Sequence, residues 1–326
     1  MPVLLAAAGL CAGAAAQTPS ASPAAAPARS VQGTIGGTPA AAAAPAAAAT
    51  AATPAAPAAP PVAAAPLVVE ANGLVRMPDG RMLAPDIARI VSRGELIVAM
   101  LKVDTPPFFA FDDKGQWSGL EVNLAASLAQ ALGVKLRINR DAGTFNAVVD
   151  LLAAGKADLA ISKLSRTLSR TQTIAFSDAY LTLNHALVLN RAKFAQIARG
   201  RTLSEVIRSF DGTIGVIAKS SFADYARTNF PKAKIQEYPS WNDVQTALYK
   251  GEIVSAYRDE FEVKRVLKAD PTVSLVLRTV TLKDLEDTLG IGVGINDRTL
   301  LAYVNQYLAQ RTEKLDINKV LQALDR

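Results

Sequence analysis

From Leu96 onward the chain repeats one unit: a short apolar run, a junction rich in small and hydroxyl residues, then apolar residues at helical spacing. Leu96-Ile97-Val98-Ala99-Met100 has the length and unbroken apolarity of a strand buried on both faces. Leu120, Leu124, Leu128 and Leu132 recur on one helical face, and Gly133 is placed to end that helix in the left-handed conformation. The next strand is predicted over 136–139, Thr144 caps a helix over 145–154, and 157–161 is again strand-like. The pattern resumes with strands over 213–217, 234–238 and 255–257 and helices over 221–229, 242–249 and 260–267. A last long helix starts behind Asn296 and Asp297. Such alternation makes α/β layers, parallel sheets flanked by helices on both faces, which take ligands beyond the carboxyl ends of their strands. Between the two series, 180–190 is an apolar stretch long enough to cross from one lobe to another.

The first 66 residues are different in kind. They hold 30 alanines and 11 of the chain's 18 prolines, and Arg29 is their only charge. Val3 to Ala12 is apolar and Ala14-Ala15-Ala16 precedes Gln17, the pattern of a secretory signal and its cleavage site, so 1–16 is expected to be a signal peptide directing the protein to the periplasm. Its usual basic opening is missing, so the true start is expected to lie upstream. Leu10 stands before Cys11 where a lipoprotein site wants a small residue, so lipid anchoring is not expected. Residues 17–66 are read as an extended Ala/Pro tether, because repeated proline blocks helix and little there repays the entropy of ordering.

Composition excludes several classes. One cysteine makes no intramolecular disulfide and no thiolate zinc site, and one histidine makes no multi-histidine metal centre. The net charge of +6 comes from scattered basic residues, without the clustering of a nucleic-acid face. No metal, cofactor or nucleic acid is therefore expected, and the protein is read as a monomer.

Three junctions carry ligand-binding chemistry. Asp104-Thr105-Pro106-Pro107-Phe108 is a stiffened loop with an aromatic wall. Ser162 through Arg170 combines hydroxyls, free backbone N–H groups and fixed positive charge, which suit a carboxylate. Lys219-Ser220-Ser221 is a helix start of the same character. Opposite in sign is Arg258-Asp259, where the acid can take an ammonium; together these describe a site for a zwitterion.

These stretches resemble the family 3 extracellular solute-binding proteins of amino-acid ABC importers over about residues 85–310. Gly119-Leu120-Glu121-Val122-Asn123-Leu124-Ala125 is similar to the family's Gly-Phe-Asp-Val-Asp-Leu-Ala. Ser165 to Arg170 followed by Phe176-Ser177-Asp178-Ala179-Tyr180 is similar to Thr-Ile-Thr-Pro-Glu-Arg followed by Phe-Ser-Asp-Pro-Tyr. The resemblance implies a two-lobed periplasmic-binding-protein fold (type II) with two crossing hinge strands near 180–190 and 282–295. Lobe 1 would comprise 67–183 with 288–326, and lobe 2 would comprise 184–287. It implies capture of an amino acid, polar or acidic, and its delivery to ABC permease membrane subunits. Arg170 would clamp the carboxylate, with Ser165, Thr167 and Ser220 or Ser221 assisting. Asp259 would take the ammonium, and Phe108 and Phe145 would line the side-chain pocket. Lys163, Lys102 and Asp104 complete the candidate set. The sequence departs from the pattern where Lys163 replaces a small residue, Lys219 a glycine, Val254 an acid and Leu168 a proline.

Plainer alternatives stand beside each assignment. Arg170 alone would be a solvated helix arginine, Asp259 also serves as a helix cap, and aromatics near strand ends are often core. Lys102 and Lys163 are read as surface groups; if one lined the cleft, an acidic side chain or a dicarboxylate would follow. His185 is read as structural, and Gly290-Ile291-Gly292-Val293-Gly294 as a glycine-bearing strand. Two other functions fit the fold: a cyclohexadienyl or prephenate-type dehydratase using Glu121 or Asp104 as acid, and a ligand-sensing accessory protein that feeds no transporter.

Overall fold

The computed structural model describes residues 68–325; the signal, Cys11 and the tether lie outside the described residues. Strands β1 (Val75–Arg76) and β2 (Met82–Leu83) pair ahead of α1 (Pro85–Arg93). Then come β3 (Glu95–Leu101), a small hairpin β4 (Ala110–Phe111) and β5 (Trp117–Ser118), α2 (Leu120–Ala131), β6 (Lys135–Ala142), α3 (Phe145–Ala153) and β7 (Leu159–Ala160). The long β8 (Ile174–Asn190) leads into α4 (Arg191–Ala198), α5 (Leu203–Arg208), β9 (Thr213–Ile217), α6 (Ser221–Asn229), β10 (Lys234–Tyr238), α7 (Trp241–Lys250), β11 (Ser255–Asp259) and α8 (Glu260–Ala269). The equally long β12 (Leu277–Gly294) returns, followed by α9 (Arg298–Gln310) and α10 (Ile317–Ala323).

Eight strands form one sheet in the order β10-β9-β11-β8-β12-β7-β3-β6. At one end β3 runs parallel to β6 and β7, and at the other β9 runs parallel to β10 and β11. The antiparallel pair β8 and β12 sits between and belongs to both ends, so these are the two crossing strands. Their register slips between Leu282 and Glu286, beside the point where Asp287 stands opposite Leu183.

Side-chain alternation along β8 builds the second lobe's two layers. Ala186 and Val188 pack with Val244 and Leu248 of α7 and Val263 of α8, whereas Leu187 and Leu189 pack with Val206 of α5 and Phe222 and Ala226 of α6. The first lobe has one larger core, in which Leu96, Val98 and Met100 of β3 meet Leu124 and Leu128 of α2, Val148 of α3, and Leu300 and Val304 of α9. Phe261, at the start of α8, also belongs to this first core and meets Phe108 edge-on at 5.3 Å.

Several expectations need adjustment. The strand expected over 157–161 narrows to Leu159–Ala160, although Asp158 and Ile161 still donate their amides to Ile97 and Ala99 of β3. The second crossing strand begins at Leu277 rather than 282. Asp297 precedes α9 without capping it through its side chain, because Arg89 draws the carboxylate away at 3.0 Å. Helices α4 and α5 had no counterpart in the sequence reading.

Gly119 fixes the loop that leads to the cleft. Its φ is +121°, and a Cβ there would lie 2.3 Å from the Phe108 carbonyl oxygen, while the amides of Leu120 and Glu121 donate to Pro107 and Phe108 at 2.9 Å. Gly119→Ala is expected to lower stability by ~2–4 kcal/mol, measured by urea denaturation; a loss below about 0.5 kcal/mol would show that the loop yields freely.

Candidate functional site

The site forms where the junction after β7 meets the starts of α6 and α8. Lys163 has φ of 48°, in the left-handed region, and its amide donates to Glu121 Oε1 at 2.8 Å. Its side chain, 2% exposed, crosses the cleft, so Lys163 is not the surface group expected of it. Lys163 Nζ donates to both Asp259 oxygens at 3.1 and 2.9 Å and to Glu262 Oε1 at 3.0 Å. It also lies 5.0 and 4.9 Å from the ring centroids of Phe108 and Phe261, within cation–π range. Asp259 serves as the N-cap of α8 as well, accepting from the Glu262 amide at 3.2 Å, so the capping alternative holds alongside the ion pair.

Arg170 is buried. It donates through Nη1 to the Ser165 carbonyl at 3.0 Å and through Nη2 to Asn146 Oδ1 at 3.1 Å. Burial weighs against its charge and Asp287 supports it. Ser165 Oγ and Ser221 Oγ share a hydrogen bond at 2.8 Å across the cleft, and the Asn146 amide donates to the Lys219 carbonyl at 3.3 Å. From the second lobe Arg258, 6% exposed, lies over Phe145 and Phe222 at 5.3 and 5.7 Å, and its Nε has no hydrogen-bond partner.

These groups enclose a small cavity lined by Phe145, Lys163, Ser165, Arg170, Ser221 and Arg258, joined by Phe222, Asp259 and Asp287, with room for one water at most at about 10 Å³. Phe145 and Arg258 also wall a groove of about 530 Å³, which continues past Asp104 and Thr144 on one lobe and Ser240 and Trp241 on the other. Trp241 Nε1 is buried and unpartnered.

Not every candidate residue reaches these spaces. Asp104 lines the groove, but its 45% exposed side chain is held by Arg140 at 2.7 Å. Lys102 is exposed and lines neither space. Phe108 is wholly buried under the Lys163 ammonium. Thr167 turns to Ser169 and to the Arg170 amide, and Ser220 Oγ donates to the Ile217 carbonyl at 2.6 Å. His185 packs against Tyr257, Phe222 and Tyr225, and burial lowers it to about 4, which leaves it neutral and structural. Glu262 and Asp287 were missed. Glu262 carries a faint signal, three residues after Asp259 on the first turn of a helix, whereas Asp287 sits mid-strand with none.

Two carboxyls are driven toward their neutral form. Burial raises Glu121 to about 7 against hydrogen bonds from Tyr180 and Lys163, and it raises Asp287 to about 6. Against these, the charges of Lys163, Arg258 and Arg265 overcome desolvation and hold Glu262 low.

A family model, bacterial extracellular solute-binding proteins, family 3, matches residues 96–323. The chain belongs to that family. The lysine/arginine/ornithine-binding periplasmic protein of Escherichia coli (strain K12) is 27% identical over 211 residues, 63% of this chain and 77% of that protein. The membrane-bound lytic murein transglycosylase F of Maricaulis maris (strain MCS10) is 33% identical over 144 residues, 44% of this chain, which spans only 29% of that relative. Among solved structures, an arginine-bound glycine-to-alanine mutant of ArgBP from T. maritima is 25% identical with a TM-score of 0.56, covering 69% of this chain and 99% of that one. An ancestral amino acid-binding protein, a precursor of cyclohexadienyl dehydratase, is 24% identical with a TM-score of 0.57, covering 72% of this chain and 97% of that one, a likeness of fold. The two-lobed α/β fold of this family-3 chain matches these neighbours.

Glu121 makes the site's stability pH-dependent. Its native value of about 7 lies above its ordinary 4.5, so the native state holds the proton more tightly and the contribution is complete below pH 4.5. It fades as pH rises through 7, a loss of about 3 kcal/mol. Glu121→Gln is expected to gain stability relative to wild type between pH 5 and pH 8, measured by urea denaturation; a pH-independent difference would contradict the raised value.

Proposed function

We propose that this family-3 protein captures a small carboxylic acid, an amino acid or a closely related acid, between its lobes in the periplasm. As a monomer it would then present the closed form to the membrane subunits of an ABC permease. The observation that carries the reading is the pair Arg170 and Arg258, buried guanidiniums from opposite lobes that line one cavity, with Arg258 Nε unpartnered. Guanidinium forks match carboxylates, and a closed cleft excludes water, so each charged contact counts for more than in bulk solvent. The groove's volume of about 530 Å³ lies within the range of small-molecule sites. We assign lobe 1 to 67–183 with 288–326 and lobe 2 to 184–287, since the second lobe's cores draw on residues 186–277. Ser165 and Ser221 assist at the carboxylate, and Phe145 walls the side-chain space.

The named relatives support capture of an amino-acid-like solute, the Escherichia coli protein binding lysine, arginine and ornithine and the T. maritima structure holding arginine. Catalysis has less support. A dehydratase would need an acid presented to the cleft, whereas Glu121 lines neither space and Asp104 is tied to Arg140.

A calorimetric screen of amino acids and small organic acids is expected to find binding at micromolar affinity or tighter. Arg170→Ala is expected to weaken it about 100-fold, in line with removal of one partner from a buried charged contact, while circular dichroism stays unchanged. Absence of any binding acid would overturn the proposal.

A further inference from the structure

Resting on that reading, we infer that the acid held in this cleft carries no α-ammonium, because Lys163 already fills the receptor of two carboxylates and two aromatic rings that an ammonium would use. An ammonium has three protons to give, and all three of Lys163's are placed, two on Asp259 and one on Glu262. The rings of Phe108 and Phe261 flank the same nitrogen. Two carboxylates and two aromatic faces are what a free ammonium would need, and here the chain's own side chain is built into them. The remaining oxygen of Glu262 is taken as well, by Arg265 through Nε at 3.0 Å and Nη2 at 2.7 Å.

The charges left over point the same way. Lys163, Arg170, Arg258 and Arg265 face Asp259, Glu262 and Asp287. Asp259 Oδ2 pairs with Lys163 and also lies 3.6 Å from Arg258 Nε, and Asp287 is a carboxyl that burial raises to about 6. The cavity is therefore short of negative charge. A zwitterion's ammonium would have Asp287 as its open acceptor, since Asp287 Oδ1 is buried and unpartnered. Burial drives that carboxyl toward its neutral form, and a buried ammonium held by a single weak acceptor is costly. A 2-oxo acid, a 2-hydroxy acid or a plain dicarboxylate brings only what Arg170 and Arg258 lack. The groove next to them is lined by Arg258 and Arg265 together with Asp104 and Glu262, and so has room for a side chain beyond the carboxylate.

The test is calorimetry on the full chain with matched pairs: L-glutamate and 2-oxoglutarate, L-aspartate and L-malate, L-alanine and L-lactate. In each pair that binds, the amine-free member is expected to bind at least 10-fold more tightly. Lys163→Gly, which suits the left-handed backbone, frees Asp259 and Glu262 and is expected to reverse the preference; Lys163→Met serves if the glycine variant melts early. An amino acid binding more tightly than its amine-free partner to the wild-type chain overturns this inference and leaves the proposed function standing. A preference unchanged in a folded Lys163 variant overturns it too, and silence from every acid overturns the proposed function itself. Should neither variant fold, the wild-type ratios decide.

Discussion

The ammonium of Lys163 ties the junction after β7 to the first turn of α8, and the closed arrangement of the cleft depends on that tie. Its net stabilising effect need not be large. Taking one ammonium and two carboxylates out of water costs several kcal/mol per ion, which their attraction offsets only with good geometry. The geometry here is good: three bonds near 3 Å, a helix cap by Asp259 and two flanking rings. What such a cluster supplies is position. Breaking it leaves buried carboxylates uncompensated, roughly 3–5 kcal/mol for a lost partner, so the junction and α8 are held in a narrow range of separations.

The backbone that makes this possible is unusual for a lysine. Lys163 and Lys219, one on each wall of the cleft, both adopt the left-handed conformation, at φ of 48° and 53°. Side chains other than glycine, asparagine and aspartate rarely rest there, at a cost of about 1–2 kcal/mol. Contacts hold each in place: the Lys163 amide is bonded to Glu121, and the Lys219 carbonyl accepts from Asn146. The side chains then part company, Lys163 turning inward and Lys219 remaining exposed. A left-handed backbone serves a strut in one case and a solvated rim in the other.

Much of the fold could be read in advance because its signals are local. Strand β9 and helix α6 fall on their expected ranges, and Thr144 caps α3 by accepting from Ala147 at 3.2 Å, since apolar runs and caps act over a few residues. The site was less legible. Arg170, Ser165, Ser221 and Phe145 do converge on one cavity, as do Lys163 and Asp259, but the partnership of those last two joins residues 96 positions apart. No local pattern reports that the lysine points inward, because its direction is set by carboxylates of the other lobe. Arg258 was visible only as the neighbour of Asp259, and Asp287 depends on where two crossing strands slip register. Lys102 and Ser220 failed for the converse reason: a suggestive junction places a residue near the cleft without deciding which way its side chain turns.

Two opposing electrostatic effects then operate in the same cleft. The Lys163 cluster draws the lobes together with or without a solute, while Arg170 and Arg258 bring like charges to one cavity from opposite sides and work against closure. Asp259, 3.6 Å from Arg258 Nε but shared with Lys163, offsets part of that repulsion, and Asp287 adds to the offset only as far as it ionises, which burial holds back. An anion placed between the guanidiniums changes the sign of that second effect while leaving the first untouched. A ligand shifts a conformational equilibrium only by its differential affinity for the two forms, and under the proposed function that differential would come chiefly from the arginine pair. The lysine sets where the lobes meet; the arginines would then determine how strongly an acid favours their meeting.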